Sequence, residues 1–190
     1  VFPLRRGQAI RAANRNKGGR MGALGYVMAG ARGAGDRLLA DVAATLAAEG
    51  WPLAGVVQVN TDRPGSRRCD MDLRVLGRPE VIRISQSLGE ASQGCRLDPE
   101  GLETAVALVQ RTMTPLPRLL IVNKFGKAEI EGRGFRALIG DALSQGVPVV
   151  LGLKPDNLPG FQAFAQGFGQ PLPENAAAVV SWCRSQATEI

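Results

Sequence analysis

Histidine is missing altogether from the chain, and aromatic residues make up only 5% of it. The first absence removes Ser-His-Asp and Cys-His triads, His-ligated zinc and imidazole acid–base chemistry before any motif is read. Cysteine is scarce. Three thiols, an odd number at spacings that match no zinc ribbon, argue against a disulfide framework and suit a reducing cytoplasm. No export signal is visible and no apolar run approaches the roughly 20 residues that span a bilayer, so no membrane association is expected. What is present, 190 residues that are 45% apolar, is enough for one globular domain burying roughly 70% of the surface its unfolded chain exposes.

Acid is absent from residues 1–20, which hold Arg5, Arg6, Arg11, Arg15, Lys17 and Arg20. The remaining residues balance at 17 basic and 17 acidic, so the net charge of +6 belongs to this segment and not to the domain. Residues 1–20 read as a basic extension outside the fold, disordered or not native, with Met21 as the start or edge of a single domain over 21–190. The alternative is a phosphate-binding arm, so nucleic acid enters only through this tail.

After Met21 short β-rich runs alternate with helical ones. Leu24–Ala29 is a buried strand, 30–35 a glycine loop, and 37–49 a helix with apolar residues at Leu38, Leu39, Val42, Ala43, Leu46 and Ala47. A second strand covers 53–59. Alternation on both sides of Gly77-Arg78-Pro79 predicts a hairpin of 72–76 with 81–84. A polar loop over 85–98 leads to a helix over 99–113, with Asp98 as N-cap and Pro99 at the first helical position. Leu119–Val122 is the most continuous apolar run, the mark of a strand buried on both faces. A loop over 123–134, a helix over 135–145, a strand over 147–151, a loop over 154–160 and helices near 161–166 and 174–186 complete the chain. Phe161, Phe164 and Phe168 are expected in the core, and Cys183 in the core or at its boundary. The alternation predicts an α/β fold, a mainly parallel sheet with helices on both faces and an inserted hairpin.

Ligands of such sheets bind where strands end and helices begin. After the first strand, Gly30 and Gly35 fall at the spacing of the phosphate loop G-x-x-x-x-G-K-[ST]. Asp36 stands where the lysine should grip phosphate, and Arg37 where a hydroxyl should hold Mg²⁺. Two readings stay open: a turn capped by Asp36, or an anion loop using the amides of Gly30, Gly33 and Gly35 with Arg32 or Arg37. The loop after the central strand carries Asn123, Lys124, Lys127, Glu129 and Glu131, with Asn123, Lys124 and Lys127 as ligand-binding candidates. Asn123 is neutral where a metal-holding acid is required. Lys124 and Lys127 can lend charge to an anion, and Glu129 or Glu131 could serve as a base. Arg63, Arg67, Arg68 and Arg96 offer forked donors for an oxyanion, with Cys69 and Cys95 as a possible thiol pair beside them.

Asn123-Lys124-Phe125-Gly126-Lys127-Ala128-Glu129, together with the glycine loop and hairpin, resembles the THEP-type nucleoside-triphosphatase branch of the P-loop proteins. Asp70-Met71-Asp72-Leu73-Arg74, Arg83-Ile84-Ser85-Gln86-Ser87-Leu88-Gly89, Gly94-Cys95-Arg96-Leu97-Asp98-Pro99 and Val122–Lys127 resemble, in order, a bacterial domain-of-unknown-function family, number 2478. These resemblances imply a three-layer P-loop NTPase-like fold. They also imply a small anionic ligand, a nucleotide or an oxyanion such as phosphate or molybdate, since some members of the family are thought to lie beside molybdate-transport genes. The departures at Asp36, Arg37 and Asn123 argue against efficient hydrolysis. An active nucleoside-triphosphatase using Lys124 or Lys127 with Glu129 or Glu131, and a non-catalytic adaptor, are the alternatives.

Overall fold

Continuous apolar runs need cover on both sides, and the computed structural model, which describes residues 21–62, 69–86 and 97–187, supplies it with one seven-stranded sheet between two helical layers. In chain order the elements are β1 (Leu24–Met28), α1 (Ala34–Ala48), β2 (Leu53–Asp62), β3 (Cys69–Val75), β4 (Val81–Arg83), α2 (Pro99–Arg111), β5 (Leu119–Phe125) and α3 (Lys127–Ile130). There follow α4 (Arg136–Ser144), β6 (Val149–Leu153), α5 (Leu158–Ala165), β7 (Gly169–Leu172) and α6 (Ala176–Ala187). The strand order is β4-β3-β2-β5-β6-β1-β7. Neighbours from β2 to β7 pair parallel, while β3 and β4 are antiparallel additions, the expected hairpin.

Odd and even positions of β5 part the core. Leu119 and Ile121 face α1 and α6, meeting Leu39, Val42, Leu46, Val179 and Cys183. Leu120 and Val122 face the other layer, with Val109, Ile139 and Phe161. Asp98 caps α2 as expected, accepting from Glu100 N at 3.0 Å. At Gly55 the backbone has φ 114°, and a Cβ there would lie 1.8 Å from Ile121 O, so only glycine lets β2 approach β5.

Two features place a cleft. The chain leaves β1 toward one side of the sheet and reaches β7 on the other, which opens a crevice at the carboxyl ends of β1 and β6. Parallel pairing of β2 with β5 stops at Val56↔Val122, whereas β2 and β3 stay paired out to Asp62↔Cys69. This antiparallel arm runs on past the last β2–β5 pair and walls the crevice. Both margins of the sheet are short: β4 has three residues, and β7 has four with Pro171 among them.

Several boundaries differ from expectation. Helix α1 starts at Ala34, inside the predicted glycine loop. Strand β5 runs to Phe125 and is followed by α3, where a loop over 123–134 was expected. Strand β6 begins two residues late, after Pro148, which has no N–H to give to a ladder. Strand β7 gives no alternating pattern, and its proline is tolerated because it lies on an edge. Phe161 and Phe164 are buried as expected, but Phe168 is 43% exposed. Gln166 at φ 49° and Gly167 at φ 87° end α5 before it, so the helical spacing that seemed to include it has already stopped. Among the described residues no helix is long and apolar enough to cross a membrane.

Candidate functional site

The turn from β1 into α1 is made by Gly33, in the left-handed region at φ 73°, with Ala34 N donating to Ala31 O at 3.1 Å. Gly33, not Asp36, is the N-cap residue, and no side chain caps the helix. The reading of Asp36 as a cap is therefore corrected. Asp36 is the third residue of α1 and is buried at 6% exposure, its carboxylate turned toward β2 and β5. Oδ1 meets Lys124 Nζ at 2.9 Å and Oδ2 accepts from Asn60 Nδ2 at 2.7 Å. Asn60 Oδ1 in turn accepts from Gln58 Nε2 at 2.7 Å. Burial on its own would raise the Asp36 pKa. The ammonium of Lys124 and the neighbouring amides outweigh it and hold the carboxyl below the ordinary carboxylate range. Asn123, 2% exposed, sets its buried amide beside the same carboxylate and helps to hold that pKa down.

The rest of the glycine loop also faces acids and sulfur. Gly30 N donates to Glu174 Oε2 at 3.1 Å, from the start of the segment leading into α6. Arg32 Nη2 approaches Cys69 Sγ at 3.7 Å across the mouth of the arm. Arg37 is exposed on the first turn of α1.

Beyond β5, the spacing Gly126-x-x-Glu129 folds back on itself. Glu129 Oε2 accepts from Gly126 N at 2.8 Å and Oε1 from Phe135 N at 3.1 Å, so both oxygens hold backbone. Burial raises the Glu129 pKa more than these bonds lower it, and nearby Glu103 adds to the rise. Glu131 is exposed, bonded to Arg133 Nη2 at 2.5 Å and 3.7 Å from Lys127 Nζ. The Arg133 bond first, then Lys127, hold its pKa low.

These elements enclose a cleft of about 680 Å³. Gly30, Arg32, Gly33, Gly35 and Cys69 line it from the loop and the arm, and Asn123, Lys124, Lys127 and Glu129 from β5 and α3. Arg37 and Glu131 do not border it. Arg63, Arg67, Arg68, Cys95 and Arg96, like residues 1–20, lie outside the described residues. Cys183 is buried on α6, its thiol pushed up to about 12 by burial. Gln58 and Asn60 complete the network and were not anticipated. The signal was available: in Val56-Val57-Gln58-Val59-Asn60 polar side chains recur at period two within a strand, which places both on one face of β2. Among the described residues no group of three or more His, Cys, Asp or Glu could hold a metal ion.

The Molybdenum import ATP-binding protein ModC 2 of Bradyrhizobium diazoefficiens is 30% identical over 155 residues, 82% of this chain. The chain spans about a sixth, 17%, of that relative's length. No solved structure matches the chain. A glycine loop joining the first strand to the first helix, on a mainly parallel sheet with helices on both faces, makes the α/β architecture P-loop NTPase-like. A family model matches residues 24–182, nearly the whole of the described fold, and the chain belongs to the family described as Protein of unknown function (DUF2478).

Proposed function

We propose that this chain binds a small anion, a nucleotide or a tetrahedral oxyanion, between the Gly30–Gly35 loop and Lys124, without efficient hydrolysis. The observation that carries this reading is the Asp36–Lys124 pair at 2.9 Å. A phosphate loop sets its cation on the helix and an acid on the neighbouring strand. Here the helix carries the acid and β5 the cation, so Lys124, with Arg32 and Lys127 also on the cleft, stands where it can meet an anion in the loop. The positive end of α1 favours the same charge, although the Gly30 amide is already taken by Glu174 Oε2.

The divalent ion that such folds use with a triphosphate does not fit these residues. Arg37 replaces the hydroxyl, Asn123 is neutral, and both Asp36 oxygens are engaged. Glu129 serves two backbone amides and Glu131 lies outside the cleft, so neither is poised to orient water. The name of the ModC 2 relative supports a link to molybdate handling. Thermal-shift titration with phosphate, molybdate, tungstate, ATP and GTP tests the reading. A ligand at 100 times its Kd adds about 2.7 kcal/mol of stability, and Lys124→Ala should abolish the shift. ATP or GTP turnover with Mg²⁺ should equal buffer, with no change in Glu129→Gln or Glu131→Gln. Turnover lost in those variants would establish the nucleoside-triphosphatase instead, and no shift with any anion would favour the adaptor.

A further inference from the structure

We infer that Glu174 is a built-in competitor for the ligand: its carboxylate occupies the first amide of the glycine loop, and an anion must displace it to bind there. This rests on the anion-binding reading and assigns the residue that sets how tightly the site holds an anion. The placement of Glu174 follows from the ladder between β1 and β7. The last pair of that ladder is Val27↔Leu172, so Gly30, three residues on, and Glu174, two residues on, leave the sheet side by side. The backbone around Glu174 is anchored. Asn175 N donates to Pro173 O at 2.7 Å, and Asn175 Oδ1 accepts from Ala178 N at 2.9 Å, which caps α6. From that turn Glu174 Oε2 accepts from Gly30 N at 3.1 Å.

Both groups are exposed, so water can satisfy either one and folding does not call for the bond. Chemically it is the contact a bound anion would make, a negatively charged oxygen on a loop amide. Gly30 borders the cleft together with Arg32 and Lys124, and a Cβ on it would meet nothing within 4 Å, so there is room beside its amide. Two anions cannot share the one hydrogen. Like charges about 4 Å apart repel even through bulk water by enough to weaken binding about fivefold. A ligand offsets this by reaching Arg32 and Lys124 as well as the amide, and the displaced carboxylate turns out into water.

Isothermal titration of the full chain with inorganic phosphate reads the inference directly. Glu174→Ala should bind phosphate at least about fivefold more tightly than the parent. Asp156→Asn removes an equal charge from an exposed position elsewhere on the cleft and should gain about twofold or less. In the parent, the amide resonance of Gly30 should move as phosphate saturates the site. If circular dichroism shows that Glu174→Ala disturbs the fold, Glu174→Gln keeps the shape without the charge and should show the same gain. Equal phosphate affinity in the parent and the folded Glu174 variant, an equal gain in Asp156→Asn, or a Gly30 resonance that ignores saturating phosphate would overturn the inference while anion binding stood. No phosphate binding by the parent or by any variant would overturn anion binding and the inference with it.

Discussion

Lys124 neutralises a carboxylate that has little access to water, so its loss reaches beyond ligand binding. Lys124→Met keeps much of the aliphatic stem but leaves the Asp36 carboxylate to neutral amides alone, Asn60 and Asn123. Breaking a buried pair on one side costs about 3 kcal/mol at the lower end of the usual range, and chemical denaturation should show a loss of that order. Adding Asp36→Asn removes the stranded charge, so the double variant should recover part of the loss. A coupling of about 1–3 kcal/mol in the cycle is expected for residues in one network. Strictly additive effects would mean that the pair does not form. The departure of Asp36 and Arg37 from the phosphate-loop pattern was legible in the residues. The partner of Asp36 was not, because Lys124 lies far along the chain and only the sheet order brings the two together.

Among the elements, β2 is the most demanding, since it pairs parallel with β5 on one side and antiparallel with β3 on the other. Gly55 sits opposite Ile121 in the first of these ladders. A methyl group there would collide with backbone, which no side-chain rearrangement relieves. Gly55→Ala should therefore cost more than about 4 kcal/mol, in the tail of single-residue effects, and thermal unfolding would show it. Strands with runs such as Leu119–Val122 and helices with a clear apolar stripe were readable because periodicity reports burial. Strand β7 was not, since four residues including a proline carry no period, and their pairing with β1 is set by tertiary packing. Helix α3 was legible only through its Gly126-x-x-Glu129 spacing, which also fits a loop acid reaching for solvent.

For the whole molecule, two buried acids pull stability in opposite directions with pH. The folded pKa of Asp36 lies below the ordinary 3.8, so its contribution is present above that value and is lost as pH falls through the lower folded one. Glu129 is raised above 4.5, so its contribution is full below that value and fades as pH rises through the folded one. Denaturation from pH 3 to 7 should show Asp36→Asn flattening the acid-side decline and Glu129→Gln flattening the decline toward neutrality. Identical slopes in both variants and the parent would refute the assignment. The sheet's outer borders carry a last consequence for how copies of the chain meet. An imino nitrogen on one flank and a three-residue stub on the other give a neighbouring molecule almost no ladder to extend. Self-association in concentrated samples should therefore proceed through helical faces or strand ends, and zipper-like fibre growth along the borders should be suppressed.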